Sequence, residues 1–346
     1  MGRIQPCKVR PGDKVAVVSP SFAAPGAFRA VHERAMERLR EEIGLVPVEY
    51  PTTRELGASP KDRARDVNAA LADPEIRAIL STIGGEDQIR VIPYLDSSLL
   101  RAHPKIFLGY SDNTSLHNWF WQHGVQSFYG GSTQVHLGPG PDIDPEHLLS
   151  LRAALFDGGT VTLTNPPASE DFGIDWHDAR ALSEHGAREP SEPWVWAGPE
   201  MRVTGRTWGG CIEVLDWICL AGRFPTMESL DGAILLLETS EELPSAQMVR
   251  WWVRGMGERG LLNRVGGILL ARPPVSSRGI EPDAQARAQL REDQYNAVIR
   301  EAQYYNPDLV ICCGVPFGHT KPQWIVPFGG TITLDASARE VMVDYS

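Results

Sequence analysis

The stretch Lys105-Ile106-Phe107-Leu108-Gly109-Tyr110-Ser111-Asp112-Asn113-Thr114 sets a buried apolar run directly against a polar turn. Lys105 to Tyr110 reads as a short strand, and Asn113 to His123 carries the spacing of a helix. Asp112 and Asn113 are residue types suited to capping that helix. The unit is therefore strand, turn, helix. Working back along the chain, Ile76 to Ser81 reads as a strand, and Pro60 to Leu71 as a helix opened by Ser59 as N-cap. Val46 to Tyr50 is a further strand, Phe28 to Ile43 a helix, and Asp13 to Pro20 a strand closed by Ser and Pro. Ahead of the opening stretch, Ser127 to Tyr129 is another short strand. This alternation predicts an α/β fold with a mostly parallel sheet covered by helices. Ligands of such sheets sit beyond the carboxyl ends of the strands.

At 346 residues the chain exceeds the usual extent of one core, so two domains are expected. Residues 1–165 read as the first. From 166 to 200 the character changes: five prolines lie between Pro166 and Pro199, with Trp176, Trp194 and Trp196. That stretch reads as a crossover long enough to take part in function. Residues 201–346 read as a second α/β unit, with strands at Ala233 to Leu237, Gly267 to Ala271 and Leu309 to Cys313. Helices are predicted over Pro244 to Met256 and Pro282 to Tyr304, and a closing hairpin from Gly330.

Composition excludes several classes. Acids outnumber bases by 44 to 33, a balance opposed to polymeric nucleic acid, whose phosphates demand clustered Lys and Arg. No apolar run approaches the ~20 residues that span a bilayer, and the N-terminus has no secretory h-region, so the cytoplasm is the expected location without membrane attachment. The five cysteines are odd in number and lack CxxC spacing, which argues against a disulfide framework and against a zinc site. No GxGxxG or P-loop pattern is present, which disfavours nicotinamide, flavin and NTP chemistry.

Four loops that follow strands carry groups suited to catalysis. Ser111 sits at a strand-to-helix turn, where a helix N-terminus stabilises a developing oxyanion; the plainer reading is a helix cap. Ser81-Thr-Ile-Gly84-Gly85 lets backbone approach a ligand, or is an ordinary turn. Glu238 ends the apolar strand Ile234-Leu-Leu-Leu, where a carboxylate needs a partner such as a histidine. Glu241 and Glu242 follow in a polar loop and read as solvated. His319 lies in the Gly- and Pro-rich loop after Cys312-Cys313, whereas His117 reads as a structural helix residue. Serine, glutamate and histidine just past buried strands suit acyl-transfer hydrolysis.

These segments together resemble the LD-carboxypeptidase family of serine peptidases. The resemblance runs through Pro11-Gly-Asp-Lys-Val-Ala-Val-Val-Ser-Pro-Ser, Ser81-Thr-Ile-Gly-Gly, Gly109-Tyr-Ser-Asp-Asn-Thr, Gly209-Gly, Leu237-Glu-Thr-Ser-Glu-Glu and the loop of His319. It implies a flavodoxin-like N-terminal domain with a parallel sheet and a smaller, swivelling α/β C-terminal domain, paired as a homodimer. It also implies Ser111 as nucleophile, Glu238 as triad acid and His319 as general base. The N–H groups of Gly85 and Asp112 would form the oxyanion hole, with neither cofactor nor metal. The Ser-Thr-Ile-Gly-Gly form and the Trp-rich crossover are similar to the MccF-like subgroup. Its members hydrolyse the amide or acyl-phosphoramide link between an aminoacyl group and a nucleotide-like moiety, in self-immunity and detoxification. Trp176, Trp194 and Trp196 could then stack on a base, or simply bury the domain junction. The alternatives are a murein tetrapeptide carboxypeptidase with the same triad, and a non-catalytic binding protein on this scaffold. One position departs from the family pattern: Cys211 follows Gly209-Gly210 where the family usually carries Asn. That bears on substrate contacts of the asparagine and leaves the three catalytic candidates untouched.

Overall fold

The computed structural model describes residues 4–346. The first sheet contains β1 (Lys14–Val18), β2 (Val46–Glu49), β3 (Ile76–Ser81), β4 (Ile106–Gly109) and β5 (Ser127–Tyr129). They lie side by side as β2-β1-β3-β4-β5 and pair in parallel, the flavodoxin-like order. β4 is wholly buried, because a central parallel strand is covered on both faces. Ser59 caps its helix as expected, its Oγ accepting from the N–H of Asp62.

The second sheet holds eight strands. Its early members are β6 (Thr160–Thr162) and β9 (Val195–Ala197), with a two-residue ribbon, β7 (Ala168–Ser169) and β8 (Glu189–Pro190), between them in sequence. β10 (Arg202–Cys211), β11 (Ile234–Glu238), β12 (Gly267–Ala271) and β13 (Val310–Val315) form its parallel centre. β14 (Val326–Phe328), β15 (Thr331–Asp335) and β16 (Glu340–Asp344) follow, the last two being the expected hairpin.

The sequence-drawn bounds at 165 and 200 are crossed in both directions. β14 belongs to the first sheet, pairing antiparallel with β5, while β6 and β9 complete the edges of the second. These are three-residue strands whose pairing is long-range, so local periodicity carries little trace of them. Pro327 is tolerated in β14 because that strand lies at the sheet edge. The ten-residue β10, which sequence periodicity did not mark, pairs antiparallel with β15 in its first half and parallel with β11 in its second.

The crossover is fastened by ions rather than by tryptophan alone. Arg272 and Arg291, 3% and 2% exposed, meet Asp171, Glu189 and Glu192 from the crossover. Asp171 also accepts from the N–H groups of Val275 and Ser276. Charges buried this deeply persist only when paired with opposite charge.

Candidate active site

The carboxyl ends of β1, β3 and β4 converge where the strand order reverses, the position open α/β sheets use for ligands. A cleft of about 1010 Å³ opens there, bordered by Ser21, Gly84, Gly85, Ser111, Trp176 and His319.

Ser111 occupies the left-handed region at φ 64°, a conformation that costs a non-glycine residue on the order of 1 kcal/mol and so marks a specified turn. Its N–H donates to Tyr129 Oη at 3.1 Å, and its carbonyl accepts from Thr114 Oγ1 at 2.7 Å. Ser111 Oγ has no hydrogen-bond partner among the described residues. The glycine pair after β3 lies against it: a Cβ on Gly84 would fall 2.9 Å from Ser111 Oγ and 3.2 Å from Asp112 N. Only a glycine brings backbone that close to the hydroxyl.

Asp112 and Asn113 do not cap the following helix, contrary to expectation; neither makes a side-chain cap bond to it. Asp112 Oδ2 instead accepts from Ser21 Oγ at 2.5 Å and Gln88 N at 2.9 Å, and Asn113 Nδ2 donates to Ile83 O at 3.2 Å. Both fasten the glycine loop to the serine turn. Tertiary partners win because the residues are buried, where an unmet polar group costs more than a missing cap. Burial raises the Asp112 carboxyl above its ordinary range.

Glu238 is fully buried at the end of β11, beside Cys211 of β10. Its Oε1 accepts from Tyr129 Oη at 2.5 Å, and its Oε2 lies 2.6 Å from His319 Nδ1. Gly318 lets the histidine loop approach, since a Cβ there would meet Glu238 Oε2 at 2.8 Å. His319 thus has one nitrogen fixed by a buried carboxylate. Its other nitrogen, Nε2, lies 3.1 Å from Glu241 Oε2. Glu241 is therefore an ion-pair partner at the cleft as well as the solvated residue the sequence suggested, its side chain 68% exposed. Only Thr239 and Ser240 lie between it and Glu238, and no motif marks its pairing with the histidine. Burial opposes charge on His319, but Glu238 and Glu241 outweigh it and hold its pKa well above the ordinary value. The imidazolium in turn holds the Glu241 carboxyl at about 2.

Tyr129 and Thr114 are the other residues that sequence reasoning missed. No motif distinguishes a buried tyrosine that bridges two strands from one that only packs. Cys211 is buried, its Sγ 3.2 Å from Glu213 Oε2, and burial raises its thiol pKa well above the usual range. The three tryptophans part company. Trp176 lines the cleft and meets Phe28 edge-on at 5.1 Å. Trp194 and Trp196 do not line it; they pack on the core, with Trp196 opposite Cys312. Packing of this kind is the other role the sequence left open for them, burial at the junction. His117 is structural as expected, bonded to Ser127 Oγ and Gly109 O. Among the described residues no three His, Cys, Asp or Glu side chains converge as a metal site, and no helix is long and apolar enough to cross a membrane.

Residues 15–130 match the LD-carboxypeptidase N-terminal domain, and residues 204–334 match the LD-carboxypeptidase C-terminal domain. The chain belongs to the LD-carboxypeptidase family. A Vibrio cholerae protein named provisionally as a carboxypeptidase is 28% identical over 334 residues, covering 94% of this chain and 93% of its own. The microcin C7 self-immunity protein MccF of Escherichia coli is 25% identical over 287 residues, covering 82% of this chain and 78% of its own. A solved structure of MccF without ligand superposes with a TM-score of 0.84 at 22% identity, covering 99% of this chain and 98% of that one. This confirms the two-domain α/β fold, and the family is one of hydrolases of carboxypeptidase type.

Proposed function

We propose that this protein is an MccF-like serine amidohydrolase that cleaves the amide or acyl-phosphoramide bond between an aminoacyl group and a nucleotide-like moiety. The observation that carries the reading is the shared cleft. An unpartnered serine hydroxyl on a strained turn faces it under a glycine loop, as does a histidine whose far nitrogen is fixed by a buried glutamate. Solved MccF complexes with aspartyl sulfamoyl adenosine and glutamyl sulfamoyl guanosine, and an MccF-like protein of Streptococcus pneumoniae with AMP, support a nucleotide-bearing ligand. The cleft volume suits a ligand of that size.

In this reading His319 Nε2 turns from Glu241 to Ser111 Oγ and takes its proton, while Glu238 holds the Nδ1–H tautomer and stabilises the imidazolium. Ser111 Oγ bonds to the acyl carbon, and the oxyanion accepts from the N–H groups of Gly85 and Asp112, each contributing ~2.7–4 kcal/mol to the barrier reduction. His319 then protonates the leaving nitrogen as the carbon–nitrogen bond breaks. Water, deprotonated by His319, releases the acyl group and restores the serine. The reading extends to a homodimer in the cytoplasm that serves self-immunity or detoxification.

The test sets one purified sample against an aminoacyl-sulfamoyl adenosine and a murein tetrapeptide, with Ser111→Ala as control. Cleavage of the first, lost by several orders of magnitude in the variant, is the expected result. Exclusive cleavage of the tetrapeptide would transfer the protein to murein chemistry, the activity named for a Pseudomonas aeruginosa relative 25% identical over 229 residues. Unaltered turnover in Ser111→Ala would end the assignment. Failure of a serine-directed fluorophosphonate to label Ser111 would favour a binding protein.

A further inference from the structure

Glu241 presents a problem that the proposed chemistry leaves unsolved. A general base must offer Nε2 to the serine, yet that nitrogen lies 3.1 Å from the Glu241 carboxylate. The charged groups around His319 are few. Glu238 faces it from the end of β11 and Glu241 from the loop that follows. Tyr110 presents its ring at 4.9 Å, with its phenol held neutral by burial. His136 is likewise held uncharged by burial, and Lys321, two residues beyond, is turned to Glu170 at 3.6 Å. Two carboxylates, one on each ring nitrogen, favour the protonated form of His319, which is the wrong form for a base.

We infer that Glu241 is a specificity-determining residue that binds a cationic ammonium in the acyl portion of the substrate and thereby releases His319 to Ser111. The inference rests on the catalytic reading above. Its basis is position: Glu241 lies 3.1 Å from Nε2 and borders the same cleft as Ser111, where the acyl portion of a substrate must sit. When His319 turns to Ser111, the carboxylate loses its counter-charge while still bordering the cleft. A free α-ammonium beside the carbonyl replaces that charge. An N-acylated α-nitrogen, as in a peptide, cannot. The proton balance also closes: the substrate arrives as an ammonium, and His319 yields its extra proton to solvent as the carboxylate leaves it. Substrate charge thus decides when the base becomes available: the ammonium and the imidazolium compete for one exposed carboxylate, so the discrimination is modest and screened by salt.

The test compares wild type with Glu241→Gln in three measurements. The first is labelling of Ser111 by a neutral fluorophosphonate, which needs the base but carries no ammonium. Removing one carboxylate from the imidazolium lowers its pKa, so the variant should label faster at neutral pH, with its rate midpoint moved to lower pH. The second is kcat/KM for an aminoacyl-sulfamoyl adenosine against its N-acetyl derivative. Wild type should favour the free amine by on the order of tenfold, and the variant should lose that preference. The third is calorimetric binding of the two compounds to Ser111→Ala with and without the second substitution, where the same preference should vanish. Identical labelling profiles, or equal loss on both substrates, would overturn the role of Glu241 while leaving the triad standing. Absence of labelling in both proteins would instead remove the serine mechanism, and this inference with it.

Discussion

Tyr129 donates a 2.5 Å hydrogen bond to Oε1 of Glu238 and accepts one of 3.1 Å from the backbone N–H of Ser111. One phenol therefore fixes both the proposed acid and the turn that carries the proposed nucleophile. Tyr129→Phe leaves a buried carboxylate oxygen and a backbone N–H without partners, at a cost of ~1–3 kcal/mol. The expected outcome is a lower urea midpoint together with a fall in kcat greater than the rise in KM. Unchanged kcat with a lowered midpoint would reduce Tyr129 to a packing role.

Gly84→Ala places a methyl 2.8 Å from Ser111 Cβ, so either the glycine loop or the serine turn must move. A displacement near 1 Å at reacting groups costs about 100-fold in rate. We expect a loss of that order in kcat with folding retained. Gly255→Ala is the control: nothing lies within 4 Å of its Cβ, and helix propensity gains ~1 kcal/mol. If the Gly84 variant is as active as the control, close approach of the loop is irrelevant to catalysis.

Trp176 and Trp194 should fail differently. Loss of a stacking ring at the cleft should cost ~1–3 kcal/mol of binding, so Trp176→Ala should raise KM for a nucleotide-bearing substrate. Trp194→Ala removes a ring packed on the core and should lower the melting midpoint with KM unchanged. Steady-state kinetics and thermal melts on both variants check the pair. A KM effect confined to Trp194 would reverse the assignment.

Stability should fall as pH is lowered below about 6.5. Burial holds His117 at about 3 and His147 at about 4, so the native state refuses protons that the unfolded chain accepts. Below the unfolded value the unfolded state gains, and stability declines until the native groups titrate, by a few kcal/mol for a fully shifted group. His319 does not offset this loss. Its pKa is raised, so its contribution is fully present below the unfolded value and disappears only as pH rises through the folded one. Urea midpoints measured between pH 6.5 and pH 5, where the His319 contribution is constant, should drop toward the acid end; a flat profile would refute the account.

Much of the frame was legible in the chain. β3 and β5 occupy the residues read as strands, and the helix opened by Ser59 and Pro60 begins where its cap predicts. These features are local: a buried strand must be apolar, and a helix start needs an acceptor for its first N–H groups. The short strands β6, β9 and β14 were not legible, because each is specified by a partner from a remote part of the chain. The roles of Asp112 and Asn113 were misread for a related reason. A capping residue type reports only what its neighbours offer, and here remote partners offered more.

The sequence by itself determined the α/β class, the family and the strand ends on which Ser111, Glu238 and His319 stand, since periodicity and motif are properties of short segments. Tertiary structure alone decided that Tyr129 joins two of them, that Trp194 and Trp196 pack on the core, and that Glu241 faces His319 Nε2. Those outcomes depend on where side chains meet across the fold. A contact between residues far apart in the chain leaves no periodicity to read; it exists only once burial makes each polar group find its partner.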